Sequence, residues 1–161
     1  MTPFNEAIVK WIRLGFTFTG RSTRADFWWP LLLVVIVQTT LLSLFASGSG
    51  SVWVETYISF IESGSNDLAQ LDLPELDGLS LFALVFLVVF GLLTFFPNLA
   101  VSWRRFHDMG KPGWFHLLFM FVRPFLPFAV LAELIWFIVP GERRDNRYGP
   151  DPLNTRSDIF D

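Results

Sequence analysis

The chain has 161 residues, 52% of them hydrophobic, 17% aromatic and only 17% charged, well below the roughly 25% charged of soluble domains. With no Cys there is no disulfide, thiol nucleophile or thiolate metal site, and an acidic net charge of -3 is unlike a nucleic-acid-binding domain. Every Lys and Arg lies before residue 25 or after residue 103, with long uncharged runs between them, the pattern of a small membrane protein.

In chain order, residues 1–20 lack an uninterrupted apolar core with a small-residue cleavage site, so the mature chain is expected to begin near Met1. This stretch instead predicts an interfacial amphipathic helix, with Phe4, Ile8, Trp11, Ile12 and Gly15 on one face and Glu6, Lys10 and Arg13 opposite. Thr23, three residues before Asp26, predicts a capping box, and Pro30 is expected in the first turn that follows. Residues 27–45 carry no charge; as a helix they reach about 28 Å, close to a hydrocarbon core of roughly 30 Å. Within this first span Gln38, Thr39, Thr40 and Ser43 are expected to form a seam bonded to a neighbouring helix.

Residues 46–78 hold a Gly/Ser run and the acids Glu55, Glu62, Asp67, Asp72, Glu75 and Asp77, without Lys or Arg. The positive-inside rule makes this an external acidic loop, and the acids match no calcium-loop spacing. A second span is expected over 79–103, loosened at Pro97-Asn98 and closed by the basic turn 104–113. Two crossings leave both basic segments, and the N-terminus, on the cytoplasmic side.

Residues 114–139 are apolar but interrupted by Arg123, Pro124, Pro127 and Glu133, so they either span once or form a re-entrant hairpin covered by protein. Arg143, Arg144 and Arg147 in the polar tail 140–161 favour the hairpin, which keeps the C-terminus cytoplasmic. The expected fold is therefore all-α and multi-pass: two clear spans, a third hydrophobic segment and an N-terminal interfacial helix, in one membrane domain.

Three segments, Gly20-Arg21-Ser22-Thr23-Arg24-Ala25-Asp26-Phe27-Trp28, Arg104-Arg105-Phe106-His107-Asp108-Met109-Gly110-Lys111-Pro112-Gly113-Trp114 and Asn146-Arg147-Tyr148-Gly149-Pro150, occur in this order. They resemble the signatures of the DUF805 family of small bacterial inner-membrane proteins over about residues 12–152. Phe106 stands where that family more often has Leu, and the acidic loop has no recognised counterpart. The resemblance implies an inner-membrane location and a helical fold, and carries no catalytic role.

Together these motifs supply Arg21, Arg24, Arg104, Arg105, His107, Asp108, Lys111 and Arg147. If they converge on one face, arginine forks favour bidentate contact with phosphate, and a lipid headgroup or another anion is the natural ligand. The simpler role is topological anchoring, with Arg21 or Arg104 paired to Asp26 or Asp108. His107-Asp108 has the composition of a general-base pair, but neighbours on a helix point about 100° apart, and Asp108 is expected to bind backbone amides or an arginine. His116 is expected near the interface without a chemical role.

Arg123 and Glu133, ionisable at membrane depth, are expected either to pair across a hairpin or to line a pathway. Trp28, Trp29, Trp103, Trp114 and Trp136 fall near span ends and fit an interfacial belt. No zinc-protease, serine-hydrolase or phosphate-loop signature occurs, and no metal or cofactor site is expected. The functional expectation is a non-enzymatic membrane protein that binds anionic lipid or a partner protein through a cytoplasmic Arg-rich face. The alternative is an oligomeric transporter or channel subunit using Arg123 and Glu133.

Overall fold

Two segments are apolar on all sides rather than along one stripe, as helices surrounded by hydrocarbon require. In the computed structural model, which describes residues 2–64, 75–126 and 128–154, they are the longest helices. α1 is Phe4–Arg13, α2 Arg24–Ser47, α3 Gly50–Glu62, α4 Gly78–Asp108, α5 Phe115–Val122 and α6 Ala129–Ile138. Among the described residues there is no strand, only an isolated bridge between Asn146 and Gly149. α2 has 24 residues and α4 has 31, about 36 and 46 Å at the helical rise, long and apolar enough to cross a bilayer. Their outward faces carry half-exposed Val35, Ile36, Leu42, Phe82, Phe86 and Val89, a density of apolar surface that water does not tolerate.

The chain divides into two compact units, Met1–Leu33 with Thr94–Asp161, and Val34–Leu93. In the first, α1 is shorter than the expected 1–20 helix because the chain turns at residues 14–17, with the Thr17 amide bonded to the Leu14 carbonyl. Of its expected apolar face Trp11 and Gly15 lie inside together with Ala7, whereas Phe4 and Ile12 are left on the surface; Gly15 packs so closely on Pro97 that a Cβ would come within 2.9 Å of its ring. The capping box forms as expected: the Thr23 amide donates to Asp26 Oδ2 at 2.9 Å and the Asp26 amide to Thr23 Oγ1 at 3.2 Å. α2 starts at Arg24, so Pro30 falls in its second turn rather than the first, and the helix continues through it.

α4 likewise runs unbroken through Pro97 and five residues past the expected end of the span, carrying Arg104 to Asp108 as its last turns. It stops in a Schellman motif: Lys111 N–H reaches the Phe106 carbonyl at 2.9 Å and Gly110 N–H the His107 carbonyl at 3.0 Å. Gly110 has φ +69 there, the left-handed conformation that side chains resist. Next in the turn, any Cβ at Gly113 would overlap the Trp103 indole. The 114–139 segment is two short helices packed on each other, α5 with 8 residues and α6 with 10, and neither is long enough to cross alone. Pro127, expected at their turn, lies outside the described residues. An aromatic core joins α4 to them, with Phe106 0% exposed among Phe119, Trp136 and Phe137.

The second unit corrects two expectations. Residues 46–78 are not loop throughout, because α3 occupies Gly50–Glu62; Asp67 and Asp72 lie outside the described residues. Asp77 caps α4 through the Ser80 amide (2.7 Å) and accepts from the Ser49 amide (2.7 Å), while its own amide donates to Ser49 Oγ (2.8 Å). Ser80 Oγ closes the corner, accepting from Gly50 N–H and donating to the Phe45 carbonyl. Two members of the expected polar seam of the first span instead bond their own helix: Thr39 Oγ1 donates to the Val35 carbonyl and Thr40 Oγ1 to that of Ile36. Back-bonding of this kind satisfies a hydroxyl in apolar surroundings without a partner helix.

Candidate functional site

The first unit brings the three motifs together around buried arginines. Arg104 is 2% and Arg105 0% exposed, so each guanidinium must find protein acceptors. Arg104 donates to Ser22 Oγ at 3.0 Å, to the Leu14 carbonyl at 2.7 Å and to the Thr17 carbonyl. It thereby fastens the turn after α1 to the end of α4, and the Ser22 amide returns a bond to the Arg104 carbonyl at 3.2 Å. Arg105 donates to Asp108 and to the carbonyls of Phe137 and Val139, binding the free carbonyls at the end of α6.

Arg21 completes the set. Its Nε and Nη2 lie 3.0 and 2.9 Å from Asp108 Oδ1, and its remaining donors reach the carbonyls of Arg144 and Glu142. Asp108 therefore sits between two arginines from different segments, and its own carbonyl accepts the Glu142 amide at 2.8 Å. The backbone of Gly141 passes so close that a Cβ there would overlap the Asp108 carboxylate. Of the expected anchor pairs, Arg21–Asp108 forms; Asp26 pairs with Lys10 at 2.6 Å, and Arg104 uses carbonyls and a hydroxyl instead of an acid.

His107 and Asp108 face different partners, as their helical offset demands. His107 Nδ1 lies 3.1 Å from the Gly20 carbonyl, and its ring stacks on Tyr148 at 3.9 Å and 4°. Arg147 lies over the other partner of that stack, 4.7 Å from the Tyr148 centroid, and Asn146 Nδ2 donates to the His107 carbonyl. Arg24, Lys111 and Arg147 are exposed.

A second buried cluster lies in the α5–α6 hairpin. Glu133, 1% exposed, receives Arg123 on one oxygen and His116 Nδ1 on the other. His116 is thus a buried carboxylate partner and not the inert boundary residue expected of it. Its spacing explains the error: an isolated His gives no sign of a carboxylate that meets it across a turn. Trp103 and Trp136 pack inward against Phe18 and Phe106 respectively, whereas Trp29 and Trp114 are exposed. Sequence reasoning also missed Ser22, Gly141, Glu142 and the carbonyl acceptors. Only Gly141, next to Pro140, carried a signal, that of a close backbone approach. No group of three or more metal-ligating side chains occurs among the described residues.

A helical fold with two bilayer-length apolar helices and a buried arginine cluster at the end of one of them defines a small integral membrane protein. Residues 15–150 match the family model "Protein of unknown function (DUF805)", and the chain belongs to that family. It is 41% identical over 135 residues to inner membrane protein YhaI of Escherichia coli (strain K12), covering 84% of this chain and 85% of the relative. It is 26% identical over 135 residues to inner membrane protein YhaH of the same organism, covering 84% and 86%. No solved structure matches it.

Proposed function

We propose that this is a non-enzymatic inner-membrane protein whose motif-bearing unit holds a basic surface against anionic lipid headgroups on the cytoplasmic side. The observation behind this reading is the division of labour among the cations. Arg21, Arg104 and Arg105 are buried and bonded to the protein, and the segments they fasten carry exposed Arg13, Lys111, Arg143, Arg144 and Arg147. The exposed acids described in that unit are Glu6 and Asp145. Each basic side chain near an anionic leaflet adds about 1 kcal/mol of attraction.

The buried arginines act as fasteners in this reading, and the ligand-facing groups are those at the rim. The transporter alternative needs Arg123 and Glu133 facing water, whereas their pairing, shared with His116, supports a structural role. A hairpin of two short helices also supports a C-terminus on the same side as the N-terminus, with residues 114–139 re-entering.

Lipid retained by the detergent-purified protein tests the proposal. The variant Lys111→Gln/Arg143→Gln/Arg147→Gln is expected to lose most of its preference for phosphatidylglycerol over phosphatidylethanolamine while melting like the parent; an unchanged preference would end the lipid reading. An activity-reporting fusion after Asp161, with a control fusion in the acidic loop, is expected to report a cytoplasmic terminus, and an external one would remove the shared face.

A further inference from the structure

Arg24 differs from the buried motif arginines Arg21, Arg104 and Arg105. It is exposed and makes one long hydrogen bond, 3.4 Å to the Ile138 carbonyl, so most of its fork is free. It stands at the rim of a groove of about 620 Å³ whose walls include Ala25, Trp28, Trp29, Leu32 and Ile138. That volume lies within the roughly 300–1,000 Å³ of small-molecule sites, and apart from Arg24 and Thr2 its lining is apolar. The acid nearest in sequence, Asp26, is buried and neutralised by Lys10 at 2.6 Å, so it does not oppose an anion at Arg24.

We propose that this groove binds one anionic phospholipid, its phosphate on the Arg24 guanidinium and one acyl chain along Trp28, Trp29 and Leu32. The inference rests on the reading of the chain as an anionic-lipid-binding membrane protein and names one site within it. Charge complementarity selects the occupant: a free cation at the mouth and apolar walls running along a bilayer-length helix match a headgroup joined to a chain. The tryptophans lie at the start of the uncharged run, where amphipathic rings favour the headgroup level. A soluble phosphate would use the guanidinium and leave the walls empty.

Native mass spectrometry of the full chain in detergent, with phosphatidylglycerol and phosphatidylethanolamine of the same chains, tests the site. The parent is expected to retain one phosphatidylglycerol preferentially, Arg24→Gln to lose about tenfold in that preference, and Ala25→Phe, which fills the groove, to lose a similar factor with the headgroup contacts intact. Retention by Ala25→Phe equal to the parent would overturn the groove but leave the basic-surface reading standing. A parent without any preference for the anionic lipid would overturn both. Should Ala25→Phe fail to fold, photolabelling of the parent by phosphatidylglycerol with a diazirine on its acyl chain decides: label concentrated on residues 25–32 supports the site, and label spread evenly over α2 and α4 overturns it. Displacement of the lipid by glycerol phosphate at equal concentration would overturn the acyl-chain contact.

Discussion

The segments around Asp108 are held by buried charge, whereas the corner at Ser49, Asp77 and Ser80 is held by hydroxyls and one exposed carboxylate. In the first region each partner depends on the others, because a guanidinium removed from water and deprived of its acid has nothing to replace it. In the second, Ser80 is buried but Asp77 is exposed and Ser49 half-buried, so water can take over from the carboxylate. The three motifs thus close several chain segments onto the end of one helix, with Asp108 as the acceptor shared by Arg21 and Arg105. Breaking the two regions should therefore have very different consequences.

The largest effect is expected at Asp108. In Asp108→Asn, Arg21 and Arg105 keep their burial and lose their shared counter-charge, a cost of about 3–5 kcal/mol. Thermal melting in detergent should show a large drop or a failure to accumulate folded protein, and an unchanged melting temperature would mean that the carbonyls alone suffice. Glu133→Gln should cost less, about 1–3 kcal/mol, because the Arg123 side chain is 37% exposed and is not enclosed by protein as Arg21 and Arg105 are. In a double-mutant cycle Arg123→Gln should cost little once Glu133→Gln is present, the coupling expected of groups in direct contact. Additive effects would show that His116 is the partner that matters.

Much of this architecture was legible in advance. The uncharged runs marked α2 and α4, and Thr23-x-x-Asp26 marked the start of α2, because hydrophobic length and capping are local properties. Gly110 and Gly113 marked the turn after α4 for the same reason. The sequence-based reading failed where a side chain chooses between local and distant partners. Thr39 and Thr40 took their own helix's carbonyls, His116 met Glu133 across the hairpin, and Arg104 settled on the carbonyls of Leu14 and Thr17. A backbone carbonyl is present at every residue, so nothing in a sequence distinguishes the one an arginine will use. α3 was hidden by the Gly/Ser run before it and by β-branched residues such as Val52, Val54 and Thr56, which are weak helix formers.

Gly113→Ala separates packing from charge inside the first region, because it leaves every charge in place. The added methyl collides with the Trp103 indole, and relieving it by moving the ring should cost about 1–3 kcal/mol. Near-ultraviolet circular dichroism of Trp103 should change with melting temperature. Melting altered without a change at the indole would place the strain in the turn backbone instead.

The smallest effect belongs to Asp77. Hydrogen bonds from the Ser80 and Ser49 amides hold its carboxyl below the ordinary aspartate value, since they favour the ionised form. A group with a depressed folded value stabilises the folded state above its unfolded value and loses that contribution as pH falls through the folded one. The Ser49–Ser80 corner should therefore be fully held at neutral pH and loosen only below the usual aspartate range. Hydrogen exchange at the Ser49 and Ser80 amides, corrected for intrinsic rates, should show protection falling with acidification in the parent. In Asp77→Asn it should already be weak and independent of pH over the same range. Protection in the parent that does not respond to acid would mean that the hydroxyls of Ser49 and Ser80 hold the corner without the charge, so that the exposed carboxylate serves only as one more neutral acceptor.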